Sequence, residues 1–157
     1  MPDGQAAHEK TITTILPALA GTNLIYGAGM IESGQTWSHE QLVIDDDIIG
    51  MVKRVIQGID VTDETLAFDV INNIHETKNY LEQKHTLNHM RLQSAPRLFD
   101  RNPRKAWETK GGMDLTQKAK GKALRIMKEH RCEPLPEDSR KALKEIIKKV
   151  ERERLGI

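Results

Sequence analysis

The residues best suited to chemistry follow an apolar run in the first third of the chain. Tyr26 ends that run, and the polar residues Glu32 and Ser33 come after two glycines, with Trp37 close behind. A carboxylate beside an aromatic ring attracts an organic cation, because the face of the ring carries partial negative charge. These residues are therefore candidates for a cation-binding site. The alternative is that Glu32 and Ser33 only hold the loop backbone through local hydrogen bonds.

Two histidines form the second spacing with chemical potential. His85 and His89 are four residues apart, so on a helix both rings would lie on one face and could chelate a metal. The residues between them lack the glutamate of an H-E-x-x-H motif, and Cys132 lies only two positions after His130, which is no recognised zinc spacing. No metal site is predicted. A hydrogen-bonded histidine that caps the preceding element is the structural alternative for His85.

The other reactive groups have simpler interpretations. The acidic run Asp45–Asp47 lacks the spread oxygen ligands of a calcium loop, so it is expected to be a solvated helix face that pairs in part with Lys53 or Arg54. Cys132 is the only cysteine and has no well-placed basic partner, so it is not predicted to be a nucleophile. The sequence contains no phosphate loop, dinucleotide fingerprint or G-x-S-x-G motif.

Local patterns predict the elements that position the first group of residues. Residues 23–30 have the pattern of a buried strand with glycines at points of close approach. Ser38 and Gln41 form an S-x-x-Q capping box, and apolar residues at three-to-four spacing predict a long helix that ends near Gln57. Gly58 stands where a left-handed C-cap is expected. Together these elements form one β/α unit.

Helical periodicity dominates the remainder of the chain. Pro17 should kink the first helix or end it early, and Thr62 should cap a helix that buries Leu66 and Ile71. We therefore predict an α/β chain that is mostly helical, with two or three short strands that are parallel where they pair. Further helices are predicted at residues 6–20, 63–74, 85–92, 102–107, 115–127 and 143–150, with a short strand at 79–81.

Composition limits the possible functions. The formal net charge is +1, which gives no overall field to attract nucleic acid or an anionic membrane. A single cysteine fits a reducing compartment, no apolar run approaches the roughly 18 residues of a membrane span, and the N-terminus lacks the pattern of a secretory signal. We expect a cytoplasmic protein that binds neither nucleic acid nor membrane.

Four blocks of sequence carry a family resemblance. They are PDGQAAHEK at Pro2–Lys10, GAGMIESGQTWSHEQLVIDDDIIGMVKR at Gly27–Arg54, HTLNHMR at His85–Arg91 and LFDRNPRKAWETKGGMDL at Leu98–Leu115. In this order and spacing they resemble the corrinoid-dependent trimethylamine methyltransferase family, including its glycine betaine-type members that lack pyrrolysine. The resemblance runs to about residue 129 and covers the C-terminal third of these proteins.

The resemblance implies a fold. Family members are (β/α)8 barrels, whereas 157 residues fall short of the roughly 200 that a complete barrel needs. Residues 1–93 would therefore be C-terminal β/α units of a TIM barrel, and residues 94–157 a helical extension packed on this partial barrel. Arg97, Asp100 and Arg101 match an arginine-rich turn of the family, which is expected to tie the extension to the barrel by ion pairs.

The resemblance also implies an activity in methylamine metabolism and methanogenesis. Family members move a methyl group from a quaternary or tertiary amine to the cobalt of a separate corrinoid protein. The cobamide belongs to that partner, so no cofactor is expected to bind this chain directly, and an isolated fragment is expected to be inactive. The resemblance identifies no catalytic residue. It implies a substrate site at Gln5, Tyr26, Glu32 and Ser33, and a surface facing the corrinoid protein at His85 and Thr86.

A second class of function stays open. A non-catalytic helical interaction or assembly module is the alternative, because part of a barrel leaves open strand edges that are prone to pair with another chain. Homo-oligomerisation would follow from the same property. The behaviour of the chain with and without the rest of the barrel separates the two.

The position of Met1 gives one further expectation. Met1 directly precedes the Pro-Asp-x-Gln block, and trimethylamine-specific members of the family contain pyrrolysine, which an in-frame amber codon encodes. The resemblance implies such a codon within a few tens of codons upstream. A deliberate truncation is the alternative, and it predicts uninterrupted sense codons there.

Overall fold

The computed structural model of the protein describes residues 1–77 and 79–156. Helices dominate this part of the chain, as predicted. Two 3-10 helices occur at Glu32–Gly34 and Tyr80–Glu82, and two short strands at Met30–Ile31 (β1) and Thr36–Trp37 (β2). The α-helices are α1 (Gly4–Leu19), α2 (His39–Ile56), α3 (Asp63–Leu66), α4 (Phe68–Thr77), α5 (Lys84–His89), α6 (Arg104–Thr109), α7 (Leu115–Glu129) and α8 (Glu137–Leu155).

The chain forms two compact units, Met1–Arg125 and Ile126–Ile157. The core of the first unit is built on α2, and Leu98 and two alanines of α7 complete it. The second unit contains α8, whose apolar residues are exposed. The core residues are Val43, Ile44, Ile48, Val52, Leu98, Ala119 and Ala123. The predicted domain boundary after residue 93 stays a prediction.

Helix α1 has well-defined ends. Its N-cap is Asp3, whose carboxylate accepts a hydrogen bond from the Ala6 amide at 2.9 Å. The helix continues through Pro17, so the proline does not end it early. A Schellman motif ends the helix, since Gly21 has a φ of 79° and Thr22 donates its amide to the Pro17 carbonyl at 3.1 Å.

Helix α2 begins and ends where the sequence predicts. The Ser38 hydroxyl accepts the Gln41 amide at 3.1 Å, and Gly58 has the left-handed φ of 72° expected beyond the helix. The reciprocal half of the capping box is wrong. The Gln41 side chain turns inward and donates to Asp45 at 2.7 Å, while the Ser38 amide donates to the Gly29 carbonyl.

The predicted buried strand at residues 23–30 is wrong. Residues 24–27 belong to no strand, and Leu24 and Tyr26 are 79% and 80% exposed. The prediction of parallel pairing is also wrong, since β1 and β2 pair antiparallel, with Met30 opposite Trp37. A buried parallel strand requires neighbouring strands, and the described residues supply no strand partner to residues 24–27.

The region after α2 also departs from prediction. Thr62 is the N-cap expected, with its hydroxyl accepting the Thr65 amide at 3.2 Å. Ala67 then adopts a left-handed φ of 52° and separates α3 from α4, which leaves Leu66 and Ile71 exposed. The short strand predicted at residues 79–81 is instead the start of a 3-10 helix, because the side chain of its N-cap residue satisfies a backbone amide at the turn.

The arginine-rich turn is held by local contacts within the first unit. Asp100 forms an ion pair with Lys118 at 2.6 Å and accepts the Asn102 amide at 2.9 Å. The hydrogen bond from Lys118, assisted by those from Asn102, holds the pKa of the Asp100 carboxyl well below its usual range. Arg101 donates to the Ser94 carbonyl at 2.7 Å. In the described part of the chain, no helix is long and apolar enough to cross a membrane.

The first prediction concerns Gly29, which has a φ of 78°. An added Cβ would lie 2.6 Å from Trp37 Nε1 and 3.1 Å from Leu42 Cβ. Gly29→Ala should therefore lower the free energy of unfolding by about 2 kcal/mol or more. The matched control is Gly50→Ala in α2, where nothing lies within 4 Å and the change should stabilise by up to about 1 kcal/mol. Urea denaturation followed by circular dichroism measures both, and equal effects would contradict the packing described.

The second prediction concerns acid stability. Because the folded-state pKa of Asp100 is lowered, its ion pair stabilises the fold at neutral pH and this contribution is lost as the pH falls below about 4. Asp100→Asn should therefore be less stable than the wild type at pH 7, and the difference should narrow towards pH 2. Denaturation curves across this range measure it. A difference that stays constant with pH would show that the carboxylate charge is not the cause.

Candidate functional site

A cleft of about 570 Å³ lies between the start of α1 and residues 26–34. Its lining includes all four residues implied as substrate-binding: Gln5, Tyr26, Glu32 and Ser33. They come from two segments, the start of α1 and residues 26–33, and the fold brings these segments together. Their role in binding stays a prediction, and the geometry defines what the cleft can hold.

The wall formed by residues 32–34 has an unusual backbone. Glu32 and Ser33 have φ values of 54° and 53°, and Gly34 follows at 84°. A left-handed conformation costs a residue with a side chain roughly 1–2 kcal/mol, so two in succession require surrounding contacts that hold them. One such contact is visible, since the Glu32 carboxylate accepts the Thr36 hydroxyl at 2.5 Å. This hydrogen bond fits the alternative in which Glu32 shapes the loop. The Glu32 carboxylate still lies in the wall of the cleft when it forms this bond.

The opposite wall comes from the first two turns of α1. Gln5 donates its side-chain amide to Glu9 at 2.9 Å, one helical turn away. Asp3 and Glu9 line the cleft together with Glu32, so three acidic residues border the space, and the exposed Tyr26 borders it as well. Carboxylates and an aromatic face together attract a cation. The cleft is chemically suited to a small organic ammonium ion.

Beneath the cleft lies a charged cluster that the sequence analysis missed. Lys10 donates its ammonium to the Gly27 carbonyl at 2.5 Å and lies 3.7 Å from Asp45 Oδ2. The same Asp45 oxygen accepts the Gly29 amide at 2.8 Å, and its other oxygen accepts Gln41 Nε2 at 2.7 Å. Asp45 is only 3% exposed. One buried carboxylate therefore connects α1, α2 and the loop of the cleft.

The expectation of a solvated acidic face is wrong for two of the three aspartates. Asp45 and Asp47 are buried, and only Asp46 is exposed, where it lies 4.0 Å from Lys122. Asp47 accepts the Leu98 amide at 2.5 Å, so it fixes the chain far along the sequence. A signal for Asp45 was present, because it falls on the same helix face as Ile48 and Val52 of the core.

The predicted partners of the acidic run are engaged elsewhere or do not reach it. Arg54 donates Nη1 to the Gly58 carbonyl at 2.8 Å and Nε to the Leu92 carbonyl. It therefore holds the end of α2 against the chain that follows α5. The hydrogen-bond donors to Asp45 and Asp47 are instead backbone amides and the side-chain amide of Gln41, and Lys10 is the charged group near Asp45.

His85 lines a separate cleft of about 700 Å³, while Gln5 and Glu32 line the first. His85 Nε2 lies 2.8 Å from the Glu64 carbonyl oxygen, and His89 Nδ1 lies 2.8 Å from the His85 carbonyl oxygen. The two rings stack with centroids 4.1 Å apart. Thr86 is half-buried in the same helix.

Each ring has one nitrogen on a backbone carbonyl, and the second nitrogen of His89 lies 3.8 Å from Glu64 Oε1. Within residues 1–77 and 79–156, no group of three or more His, Cys, Asp or Glu residues is placed to hold a metal ion.

Comparison with known proteins settles the family. A family model described as "Trimethylamine methyltransferase (MTTB)" matches residues 1–154. The chain belongs to the trimethylamine methyltransferase family. The match covers nearly the whole chain, so it includes both walls of the cleft, the buried cluster beneath it, and the second cleft.

Named relatives agree with this membership. A trimethylamine methyltransferase of Desulfitobacterium hafniense is 45% identical over 98% of the chain, and one of Methanosarcina thermophila is 48% identical over 88%. A glycine betaine methyltransferase of Desulfitobacterium hafniense is 32% identical over 80% of the chain. The chain spans about 30% of the length of the curated relatives it matches.

Proposed function

We propose that this chain is the C-terminal part of a methyltransferase that moves a methyl group from trimethylamine, or a related quaternary amine, to the cobalt of a cognate corrinoid protein. Family membership supports the methyl transfer, and relatives for trimethylamine and for glycine betaine support a methylated amine as the donor. The single observation that carries the proposal is the acidic cleft, which unites the four implied substrate residues.

In this proposal the cleft binds the ammonium group. Glu32 and Glu9 supply negative charge on opposite walls, and the Tyr26 ring supplies a cation–π surface. A trimethylammonium group has at most one N–H donor and a quaternary ammonium group has none, so charge and shape must position the ligand. Orientation of the methyl donor is the part of the reaction that this chain performs. The cobamide of the partner supplies the nucleophile that accepts the methyl group.

In this proposal the two clefts have different roles. The first cleft would hold the amine, and the surface around His85 and Thr86 would face the corrinoid protein. The stacked histidines and the Arg54 contacts make that second surface rigid and polar. A fixed polar surface suits docking of a partner that must leave again after methyl transfer.

The fold of the complete protein is proposed to be a TIM barrel. Residues 1–93 would then contribute β/α units, and residues 94–157 a helical extension. The exposed apolar side chain of Leu24 supports this proposal, because it lies in a segment without a strand neighbour that a barrel would cover. Pyrrolysine is proposed to lie in the part of the protein that precedes this block, and the upstream amber codon stays a prediction.

One observation favours the alternative of an assembly module. Helix α8 carries an exposed apolar stripe at Leu143, Ile146, Ile147 and Val150, within a highly charged sequence. Such a stripe is typical of a helix that packs against another polypeptide. Self-association of the chain through α8 would fit this alternative. The first cleft would then take no part in the function.

A reconstituted assay tests the proposed function. The chain is combined with the remaining two-thirds of a family member, its corrinoid protein and trimethylamine, and the rate of cobalt methylation is measured. Glu32→Gln should lower kcat/KM at least tenfold, because the carboxylate charge that faces the ammonium ion is lost. The amide oxygen of glutamine still accepts the Thr36 hydroxyl, so the free energy of unfolding should change by less than about 0.5 kcal/mol.

The matched control is Glu108→Gln, which removes an exposed carboxylate that pairs with Arg104 outside the cleft. Its methyl-transfer rate should equal that of the wild type. If Glu32→Gln lowers stability and activity in parallel, Glu32 only holds the loop. If the rate with Glu32→Gln is unchanged, the cleft is not the amine site.

A further inference from the structure

Lys10 poses a problem for a cleft that is proposed to bind a cation. Its side chain lines the first cleft together with Asp3, Glu9 and Glu32. A free ammonium group in that wall would repel the substrate and cancel one of the carboxylates. A cation-binding cleft therefore requires that the positive charge of Lys10 be neutralised or kept apart from the ligand.

The Lys10 ammonium is paired with a buried carboxylate. It bonds to the Gly27 carbonyl at 2.5 Å, with Asp45 Oδ2 3.7 Å away. The Lys10 side chain is 23% exposed and that of Asp45 is 4% exposed. A smaller cavity of about 100 Å³, lined by both residues, lies next to the first cleft.

Asp45 is fixed independently of Lys10. The Gly29 amide donates to one carboxylate oxygen at 2.8 Å, and the Gln41 side-chain amide donates to the other at 2.7 Å. The carboxylate therefore cannot follow a moving lysine, and its charge stays beneath the loop. Burial of a carboxylate costs free energy unless a counter-charge lies close to it. The Lys10 ammonium is therefore expected to stay beside Asp45.

We propose that Asp45 is a specificity-determining positioning residue, whose buried charge neutralises Lys10 and keeps the first cleft selective for cationic ligands. Asp45 touches no ligand itself and acts through Lys10 and the Gly27–Gly29 backbone. This inference deepens the proposed function and rests on it, since selectivity for a cation matters only if the cleft binds one.

The charge of Asp45 can be separated from its hydrogen bonds. In Asp45→Asn the side-chain oxygen can still accept the Gly29 amide, while its amide group can donate to Gln41 Oε1, which is buried and has no other hydrogen-bond partner in the structure. The positive charge of Lys10 is then uncompensated. At the effective dielectric near a protein surface, one such charge within several ångströms weakens binding of a cation by about tenfold.

The experiment measures binding of tetramethylammonium to the 157-residue chain by NMR titration, with the neutral molecule tert-butanol as a probe of similar shape. Asp45→Asn should weaken tetramethylammonium binding about tenfold and change tert-butanol binding less than threefold. Lys10→Met should strengthen tetramethylammonium binding, because it leaves the Asp45 charge uncompensated. The double variant Asp45→Asn/Lys10→Met should return the affinity to within about threefold of the wild type.

Two other aspartates of α2 serve as controls. Asp46→Asn removes an exposed carboxylate, and Asp47→Asn removes a buried one that bonds to Leu98 and not to Lys10. Neither should change the preference for tetramethylammonium over tert-butanol. Because the Lys10→Met effect has the opposite sign, the inference remains testable if Asp45→Asn fails to fold.

The possible failures are distinguishable. If the wild type does not prefer tetramethylammonium to tert-butanol, the proposed function of the cleft is wrong and the inference falls with it. If the wild type shows the preference but Asp45→Asn keeps it, or Lys10→Met loses affinity, only the inference is overturned. Equal weakening of both probes by Asp45→Asn would show that Asp45 only supports the loop.

Discussion

The candidate site depends on one buried carboxylate. Asp45 has to satisfy both oxygens away from water, since an unpaired buried charge costs several kcal/mol. Its partners come from α1, from α2 and from the glycine loop between them. The carboxylate therefore holds these three segments together in the arrangement observed. That arrangement places the first turns of α1 opposite residues 32–34 and so creates the first cleft.

A second buried carboxylate of α2 also binds backbone amides, and these lie farther along the sequence. Asp47 accepts the backbone amides of Leu98 and Phe99, and Leu98 packs into the α2 core with Ala119 and Ala123. The apolar core alone is small, with seven buried hydrophobic residues among those described. Hydrogen bonds to the α2 carboxylates therefore help to specify the fold where few apolar side chains are buried. The chain spans about 30% of its relatives' length.

Local signals in the sequence predicted local structure well. The caps at Ser38, Gly58 and Thr62 were predicted because one side chain or one glycine determines each of them. The strand at residues 23–30 was not, because a strand exists only with partners that sequence periodicity cannot supply. Tyr26, Glu32 and Ser33 were candidates from their chemistry and order, Gln5 came from the family resemblance, and Lys10 and Asp45 were missed. A run of three aspartates looks solvated by composition, and only its phase on the apolar face of α2 indicates burial.

The central claim is that Asp45 holds the glycine loop against α2. Amide hydrogen exchange of the wild-type chain, resolved by residue, tests it most directly, because the Gly29 amide is buried against the Asp45 carboxylate at 2.8 Å. We expect Gly29 to exchange as slowly as the core amide of Ile48, although it lies in a loop. Exchange of Gly29 as fast as that of exposed Leu24 would contradict the account.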